Sequence, residues 1–217
     1  MLTLRQNEVL LFQGDSITDG NRGRNQDLNH VMGHGYQYIV GAKLHVDNLG
    51  RNIKIYNRGI SGNRIADLHE RWVEDTLNLN PTVLSILIGV NDAWFSYESQ
   101  SGSDAKRYEK IYRMLLDETL AKNPSCKFVI MEPFVGEYFD DEKRKAFFRD
   151  YVSTLARAAK TIASDYGAVF VPLQEMFDEY SKRVPPETLI WDGVHPTIIG
   201  HELIARKWLE CAEKELF

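Results

Sequence analysis

A serine stands where the first β-like segment of the chain should turn into a helix. The apolar run Val9–Phe12 is followed by Gln13 and Gly14, and Ser16 lies within Gly14–Thr18, which reads GDSIT. A hydroxyl at such a turn lies near unpaired backbone N–H groups and the positive end of a helix dipole, which both favour developing negative charge. Asp, Ser and Thr also cap helices and shape turns, so Ser16 alone is compatible with a nucleophile or with a cap.

A second reactive pair lies far along the chain, in residues 191–196, which read WDGVHP. Asp192 and His195 are close enough on a Gly-containing turn for the carboxylate to hold one imidazole nitrogen while the other takes a proton from a hydroxyl. Pro196 suits the first position of a final helix, since its missing N–H has no partner to lose there. Asp-x-x-His is a common spacing, however, and an isolated histidine is equally compatible with a surface or core position.

Two further segments contain possible hydrogen-bond donors to an oxyanion. Residues 57–64 read NRGISGNR and include Gly62, where the lack of a side chain lets a backbone N–H approach a ligand. Residues 89–92 read GVND and include Asn91, whose amide nitrogen can donate two hydrogen bonds. Acyl transfer needs such donors, because the loss of one costs about 2.7–4 kcal/mol of transition-state stabilisation. Each segment alone is also an ordinary turn from strand to helix.

The motifs of several other chemistries are absent from the sequence. The elbow GxSxG and the phosphate-binding patterns GxxxxGK[ST] and GxGxxG do not occur. His201 and Glu202 begin a zinc-protease pattern that fails because residue 205 is alanine. Cys126 and Cys211 form no CxxC pair and have no disulfide or zinc-ligand spacing. Metal-dependent hydrolysis is therefore disfavoured.

Length and charge narrow the class of protein. The chain has 217 residues, enough for one sizeable core, and shows no repeat or linker, so a single domain over residues 1–217 is expected. Acidic residues outnumber basic ones 31 to 26 without a dense basic run, which disfavours nucleic acid as a partner. The apolar run around Val83–Val90 is too short to span a bilayer, and residues 1–8 lack a secretory pattern. We expect a cytoplasmic protein without stable membrane insertion.

The elements that must position these residues alternate between short β-rich and longer helical segments. This alternation predicts a parallel sheet with helices on both faces, in which ligands bind beyond the carboxyl ends of the strands. Three of the four candidate segments follow the first three predicted strands and should share that edge. The predicted strands are Glu8–Gln13, Asn52–Asn57, Thr82–Ile88, Lys127–Glu132 and Ala168–Val171, and the predicted helices are Tyr36–Asp47, Arg64–Asn78, Asp104–Lys122, Glu142–Tyr166 and Pro196–Glu215.

Four sequence blocks, in order along nearly the whole chain, resemble those of the SGNH, or GDSL, hydrolases. They are Gly14–Thr18, the glycine block with Gly62, Gly89–Asp92 and Asp192–Pro196. The resemblance implies a flavodoxin-like, three-layer α/β/α fold with a five-stranded parallel sheet. It further implies Ser16 as nucleophile, His195 as general base and acid, Asp192 as its orienting partner, and an oxyanion hole of the Ser16 N–H, the Gly62 N–H and the Asn91 side chain. The resemblance implies no cofactor and no metal. Ile17 stands where the family's eponymous motif has leucine.

A narrower resemblance concerns the substrate. The stretches Gly14–Asp19, Arg58–Asn63, Arg71–Asp75 and Trp191–Asp192 look like those of the bacterial acetylxylan esterases of this superfamily. That likeness implies a small-molecule ester substrate, deacetylation of xylo-oligosaccharides or related acetylated sugars, and assembly into homo-oligomers. Trp94, Phe95 and Tyr97 follow Asn91, where they could stack on a sugar or pack against a helix or an interface.

Other functions stay open at this point. Within the same superfamily, a lysophospholipase or acyl-thioesterase is the alternative. From different classes, a carbohydrate-binding or structural protein could retain the fold without the chemistry, and a flavin-binding module could share the fold class. The complete set of Ser16, Gly62, Asn91, Asp192 and His195 favours an enzyme, since a binding protein has no need of all five.

Overall fold

The computed structural model describes residues 2–25 and 27–216, and within them five strands form one parallel sheet. They lie in the order β2-β1-β3-β4-β5, which is the flavodoxin-like arrangement. The predicted three-layer α/β/α fold is confirmed, and each predicted strand agrees with the observed one to within two residues at either end. The strands are β1 (Val9–Gly14), β2 (Lys54–Asn57), β3 (Val83–Leu87), β4 (Lys127–Met131) and β5 (Val169–Val171).

Helices cover both faces of the sheet. They are α1 (Ser16–Asp19), α2 (Tyr36–Asp47), α3 (Ile65–Glu70), α4 (Trp72–Asp75), α5 (Val90–Ser99), α6 (Ala105–Lys122), α7 (Glu142–Asp165), α8 (Gln174–Ser181) and α9 (Ile198–Glu215). Helices α5 and α8 were not predicted. In the part of the chain that the structure describes, no helix combines the length and the apolar character needed to cross a membrane.

The alternation of side chains along β1 builds two cores. Leu10 and Phe12 face the layer of α2 and α9, where Phe12 packs edge-on against Tyr36 and tilted against Trp208 at centroid distances of 5.8 and 5.7 Å. Leu11 faces the opposite layer, which includes α3, α4 and α6. Because successive side chains of a strand point to opposite faces, an almost continuous apolar run serves both layers.

The predicted helix Arg64–Asn78 is wrong as a single element. The backbone leaves helical geometry at Arg71 (φ −113°, ψ 9°), which ends α3 and begins α4, and a 3-10 turn follows at Leu77–Leu79. The bend buries Trp72, whose indole Nε1 donates to the carbonyl of Leu115 at 3.1 Å. Burial of that indole thus accompanies the break.

The predicted start of the last helix at Pro196 is also wrong. Thr197 is the N-cap of α9, and its side chain accepts a hydrogen bond from the N–H of Gly200. Pro196 lies before the helix and pairs with Ile190 in an isolated antiparallel bridge. A threonine hydroxyl can satisfy an unpaired helix N–H, so the helix begins after it.

Candidate active site

Ser16 lies at the first position of α1, directly beyond the carboxyl end of β1. The capping function belongs to its neighbour Asp15, whose Oδ1 accepts a hydrogen bond from the N–H of Ile17 at 3.0 Å. The Ser16 hydroxyl is therefore not needed as a cap, and it lies 2.9 Å from Nε2 of His195.

The turn before α9 holds His195 in place. Its Nδ1 lies 2.7 Å from Oδ2 of Asp192, while Oδ1 of Asp192 accepts backbone hydrogen bonds from Val194 and His195 at 3.0 and 2.7 Å. Gly193 between them has φ +86°, and a Cβ there would come within 2.5 Å of the carbonyl oxygen of Tyr138. Both the backbone conformation and the space at this position require glycine. The structure thus brings Ser16, His195 and Asp192 into one hydrogen-bonded chain.

The charges and hydrogen bonds around His195 favour an imidazole that holds a proton readily. The hydrogen bond that His195 Nδ1 donates to the Asp192 carboxylate raises the pKa of His195, and burial only partly opposes it. For Asp192, burial acts to raise the pKa, but hydrogen bonds from the His195 side chain and from backbone N–H groups outweigh it and hold the pKa below its usual value. Asp192 is thus the ionised partner on which a positively charged His195 would depend.

Asp15 adds a second carboxyl group behind Ser16. It is fully buried, and burial raises its pKa to about 7, although the hydrogen bond from the Ile17 N–H and the nearby His195 act in the opposite direction. A negative charge on Asp15 would in turn raise the pKa of His195. Sequence reasoning assigned no function to Asp15.

Gly62 lies in a turn after β2, and hydrogen bonds hold the residue before it in place. The N–H and hydroxyl of Ser61 donate to Oδ2 of Asp19 at 3.0 and 3.1 Å. Gly62 itself has φ +84°, where glycine is favoured, and no heavy atom would lie within 4 Å of a Cβ built there. The Gly62 N–H makes no hydrogen bond with the described residues, so this donor is available to a ligand.

Asn91 lies in the first turn of α5, and its Nδ2 donates to the backbone carbonyl of Asn63 at 3.1 Å. One of its two amide hydrogens is thus used to hold the turn of Gly62, and the other can serve a ligand. The next residue, Asp92, is buried and accepts from the N–H groups of Ile65 and Ser103 at 3.0 and 3.1 Å. Burial raises the pKa of Asp92 to about 6.

An open cleft of about 360 Å³ adjoins Asp192. We call it the aromatic cleft; its lining is Trp94, Tyr138, Phe139, Asp140, Arg144, Trp191 and Asp192. Trp191 is 59% exposed, and its ring is nearly parallel to that of His195, with centroids 6.3 Å apart and 26° between planes. Trp191 was predicted from the sequence only as part of the resemblance to the acetylxylan esterases, with no function of its own, and Arg144 was not predicted to lie at the site.

The three aromatic residues after Asn91 separate in the structure. Trp94 lines the aromatic cleft, with the Arg144 guanidinium 4.4 Å from its ring centroid. Tyr97 packs against Phe147 at 5.2 Å between centroids, and Phe95 lies under the guanidinium of Arg64. Packing therefore accounts for Tyr97 and Phe95, whereas Trp94 also faces the open space beside the site.

A metal centre is not suggested by the described side chains. Across residues 2–25 and 27–216, no group of three or more His, Cys, Asp or Glu residues is arranged to hold a metal ion. His201 is buried in α9, and its Nδ1 accepts from the N–H of Tyr36 at 3.1 Å. That histidine therefore joins α9 to α2.

Comparison with known proteins agrees with this architecture. An acetylxylan esterase from Geobacillus stearothermophilus is 37% identical over 211 residues, which cover 93% of this chain and 92% of the esterase. Among solved structures, a proposed GDSL-like lipase from Parabacteroides merdae has a TM-score of 0.90 at 37% identity, with 96% of each chain covered. A catalytic mutant of the Geobacillus esterase, an aspartate-to-alanine variant, has a TM-score of 0.86 at 33% identity, covering 97% of this chain and 96% of its own.

The sequence model of the GDSL-like lipase/acylhydrolase family matches residues 12–203, a span that begins within β1 and ends within α9. That span contains Ser16, Gly62, Asn91, Asp192 and His195. The chain therefore belongs to the GDSL-like lipase/acylhydrolase family and is a carboxylic ester hydrolase.

Proposed function

We propose that the chain is a serine esterase that removes acetyl groups from xylo-oligosaccharides or related acetylated sugars. The observation that carries the proposal is the hydrogen-bonded chain from the Ser16 hydroxyl through His195 to Asp192, with distances of 2.9 and 2.7 Å. Such a chain can activate a hydroxyl at neutral pH, because the imidazole takes the proton and the carboxylate stabilises the resulting charge.

In the proposed first half-reaction, Oγ of Ser16 attacks the ester carbonyl as Nε2 of His195 takes the hydroxyl proton. The carbonyl oxygen becomes negatively charged, and the N–H groups of Ser16 and Gly62 and Nδ2 of Asn91 donate to it. The tetrahedral intermediate then collapses, and the sugar hydroxyl leaves with the proton from His195. An acetyl group remains on Oγ of Ser16.

Water completes the proposed cycle. His195 takes a proton from the water molecule as its oxygen attacks the acetyl carbonyl, and the same donors hold the second oxyanion. The bond to Oγ of Ser16 breaks, His195 returns the proton to that oxygen, and acetate is released. The sequence of steps requires no metal ion or cofactor.

The aromatic cleft supports a sugar as the leaving group. Two indoles, Trp94 and Trp191, line it beside Asp192, while Asp140 and Arg144 offer polar groups to hydroxyls. Aromatic faces bind the apolar faces of pyranose rings, and a few charged groups in such a site fix orientation. In the related Geobacillus protein, an acetylxylan esterase, variants lacking a serine or an aspartate are both described as catalytic mutants. These are the residue types that the proposal assigns to Ser16 and Asp192.

The experiment that tests the proposal measures acetate release from acetylated xylo-oligosaccharides, with a lysophospholipid and an acyl-thioester as competing substrates. Ser16→Ala serves as the blank, and Ser125→Ala, at an exposed serine outside the site, serves as the matched control. We expect the parent and Ser125→Ala to release acetate and Ser16→Ala to lose turnover while remaining folded. Turnover of Ser16→Ala within tenfold of the parent would contradict the assignment of the nucleophile. Preferential hydrolysis of the lysophospholipid or thioester would replace the proposed substrate class by the alternative one.

Homo-oligomeric assembly, a cytoplasmic location and single-domain organisation stay predictions from the sequence. Light scattering of the purified protein measures its molar mass and so tests the predicted homo-oligomeric assembly.

A further inference from the structure

Arg71 turns its side chain inward at the break between α3 and α4. The side chain is only 14% exposed and forms an ion pair with Asp75, with 2.8 Å between Nη1 and Oδ2. Burial lowers the pKa of Arg71, but hydrogen bonding to Asp75 opposes that effect, and a guanidinium stays charged at neutral pH. Burying a cation costs free energy unless its N–H groups are hydrogen-bonded, so the remaining N–H groups of Arg71 need acceptors.

Three other acceptors of Arg71 belong to the chain segments that form the proposed oxyanion hole. Nη2 donates to the carbonyl oxygen of Gly14 at 3.3 Å, and Nη1 donates to that of Arg58 at 2.8 Å. Nε donates to Oδ1 of Asn63 at 2.7 Å. Gly14 is the last residue of β1, two positions before Ser16, whereas Arg58 and Asn63 lie on the segment that carries Gly62. One guanidinium thus connects the two segments whose backbone N–H groups must converge on a single oxygen.

We propose that Arg71 is a positioning residue for acyl transfer, which holds the turn of Gly62 in register with the end of β1 that carries Ser16. The inference rests on the proposed function, because the two N–H groups matter only if they share an oxyanion. Arg71 does not contact the substrate; it acts through Asn63 and the carbonyl of Gly14.

The geometry requires arginine and not merely a positive charge. The planar guanidinium presents donors in fixed directions, so that Nε reaches Asn63 while the two Nη atoms reach separate carbonyls. A lysine has one nitrogen and cannot span these acceptors. Arg71→Lys therefore retains the positive charge beside Asp75, but it cannot hydrogen-bond to Gly14, Arg58 and Asn63 at the same time.

The test measures kcat and KM for an aryl acetate, with the active-site concentration fixed by titration with a serine-directed organophosphate. For Arg71→Lys we expect kcat per active site to fall about 10- to 100-fold, less than the 10²- to 10³-fold typical of losing a whole oxyanion donor. KM should stay within threefold, since the ground-state ester carbonyl uses these donors weakly. Inhibition by a phenylboronic acid, whose tetrahedral adduct occupies the oxyanion position, should weaken by the same factor as kcat/KM.

A merely structural Arg71 would give a different pattern. Arg71→Lys would then lower the melting temperature or the titrated fraction of sites, but kcat per site and boronate inhibition would stay within threefold of the parent. That result would overturn the inference. Arg113→Met is the control, since Arg113 also joins two elements through Glu109 and Asp165 but lies outside the proposed active site. It should leave kcat per site unchanged.

Substitutions of Asn63 keep the inference testable if Arg71→Lys does not fold. Asn63→Asp retains the oxygen that accepts from Nε of Arg71, whereas Asn63→Leu removes it. We expect Asn63→Asp to retain kcat within threefold and Asn63→Leu to lose at least tenfold with boronate inhibition weakened in parallel. Equal activity of the two variants would contradict the inference.

The parent and Ser16→Ala are assayed alongside to separate the two proposals. If the parent does not turn over, or if Ser16→Ala retains turnover, the proposed function fails and the role of Arg71 fails with it. If the parent is active, Ser16→Ala is inactive and Arg71→Lys matches the parent per active site, only the inference about Arg71 is overturned.

Discussion

Nε2 of His195 lies 2.9 Å from Oγ of Ser16, although 179 positions separate the two residues in the chain. The contact forms because β1 ends at the same edge of the sheet to which the turn before α9 returns. Asp192 fixes the imidazole from the other side through Nδ1. The relative positions of these residues therefore depend on the whole sheet and not on any local motif.

The pH dependence of hydrolysis should report the partnership of His195 and Asp192. As the proposed general base, His195 must be neutral to accept the Ser16 proton, so kcat/KM should rise with pH through the pKa of His195. The hydrogen bond with Asp192 raises that pKa above its usual 6.5. In Asp192→Asn the main cause of the raised pKa is gone, so the midpoint of the pH–rate profile should move to lower pH. The value of kcat should fall by about 10³-fold or more, because the carboxylate no longer holds the imidazole of His195 in the required tautomer. A pH–rate profile of both proteins measures the midpoint, and a shift to higher pH in Asp192→Asn would contradict the assignment.

Removal of the Asn91 amide should slow the reaction without weakening substrate binding. Asn91→Ala removes one proposed oxyanion donor and the hydrogen bond to the carbonyl of Asn63. We expect kcat to fall about 10²- to 10³-fold, with KM changed little. The matched control is Asn123→Ala, since Nδ2 of Asn123 also donates to a backbone carbonyl, that of Pro81, but before the amino end of β4. Similar activity losses in the two variants, measured by steady-state kinetics, would argue against an oxyanion function for Asn91.

Trp94 should contribute to the binding of sugar esters and not to the chemistry. Trp94→Leu removes an indole face from the aromatic cleft. The loss of an aromatic contact worth about 1.4 kcal/mol corresponds to about a tenfold higher KM for an acetylated xylo-oligosaccharide. We expect an aryl acetate to leave most of the cleft empty, so its KM and kcat should stay within twofold. Phe95→Leu is the comparison, because Phe95 packs under Arg64 and should leave both substrates unaffected.

Two buried groups should give the stability of the protein opposite pH dependences. Burial raises the pKa of Asp15 from 3.8 to about 7, so the native state retains a proton that the unfolded chain has lost, and stability falls as pH rises through this range. Burial lowers the pKa of His201 from 6.5 to about 4, so the unfolded chain takes up a proton that the native state does not. The stability that neutral His201 contributes is therefore present above pH 6.5 and is lost as pH falls towards 4.

Asp15→Asn and His201→Gln should separate these effects. Between about pH 4.5 and 6.5, Asp15→Asn should make the slope of the unfolding free energy against pH more positive by about 1.4 kcal/mol per unit, and His201→Gln should make it more negative by a similar amount. Asparagine retains an oxygen that can cap α1, so the comparison isolates the ionisation of Asp15. Urea unfolding at several pH values measures both slopes, and a change of the same sign in the two variants would contradict the assignment.

The strands were predictable because their signal is local. Strand β3 (Val83–Leu87) is apolar except for Ser85 and buried along its whole length, as expected for a strand covered on both faces. Its neighbours differ from the prediction only at their ends. The placement of Gly62 and Asn91 at one edge followed from the general geometry of parallel sheets. Helix α5 (Val90–Ser99) was missed because its start coincides with a motif interpreted as a turn, and because its ten residues end without a proline or glycine signal.

The side chains that hold the site together were not predictable from the sequence. Asp19 and Arg71 lie in stretches that resemble the acetylxylan esterases, but neither carries a functional motif of its own. Each acts on the turn of Gly62 from a distance along the chain, Asp19 across α2 and β2 and Arg71 across α3. The break at Arg71 was missed because residues 64–78 keep a helical pattern of apolar residues through the bend. The hydrogen-bond partners of Asp19 and Arg71 are set by the order of strands in the sheet. A single sequence does not specify that order residue by residue.

The turn of Gly62 is held from three separate elements, by Asp19 of α1, by Arg71 between α3 and α4, and by Asn91 of α5. No single fluctuation of a neighbouring loop can release it, so its opening should require the loss of packing around the end of β1. Ser61 is exposed to solvent, yet its N–H donates to the buried Asp19. We expect the amide hydrogen of Ser61 to exchange with solvent about as slowly as those of the central strands, since exchange would have to await unfolding of the larger unit.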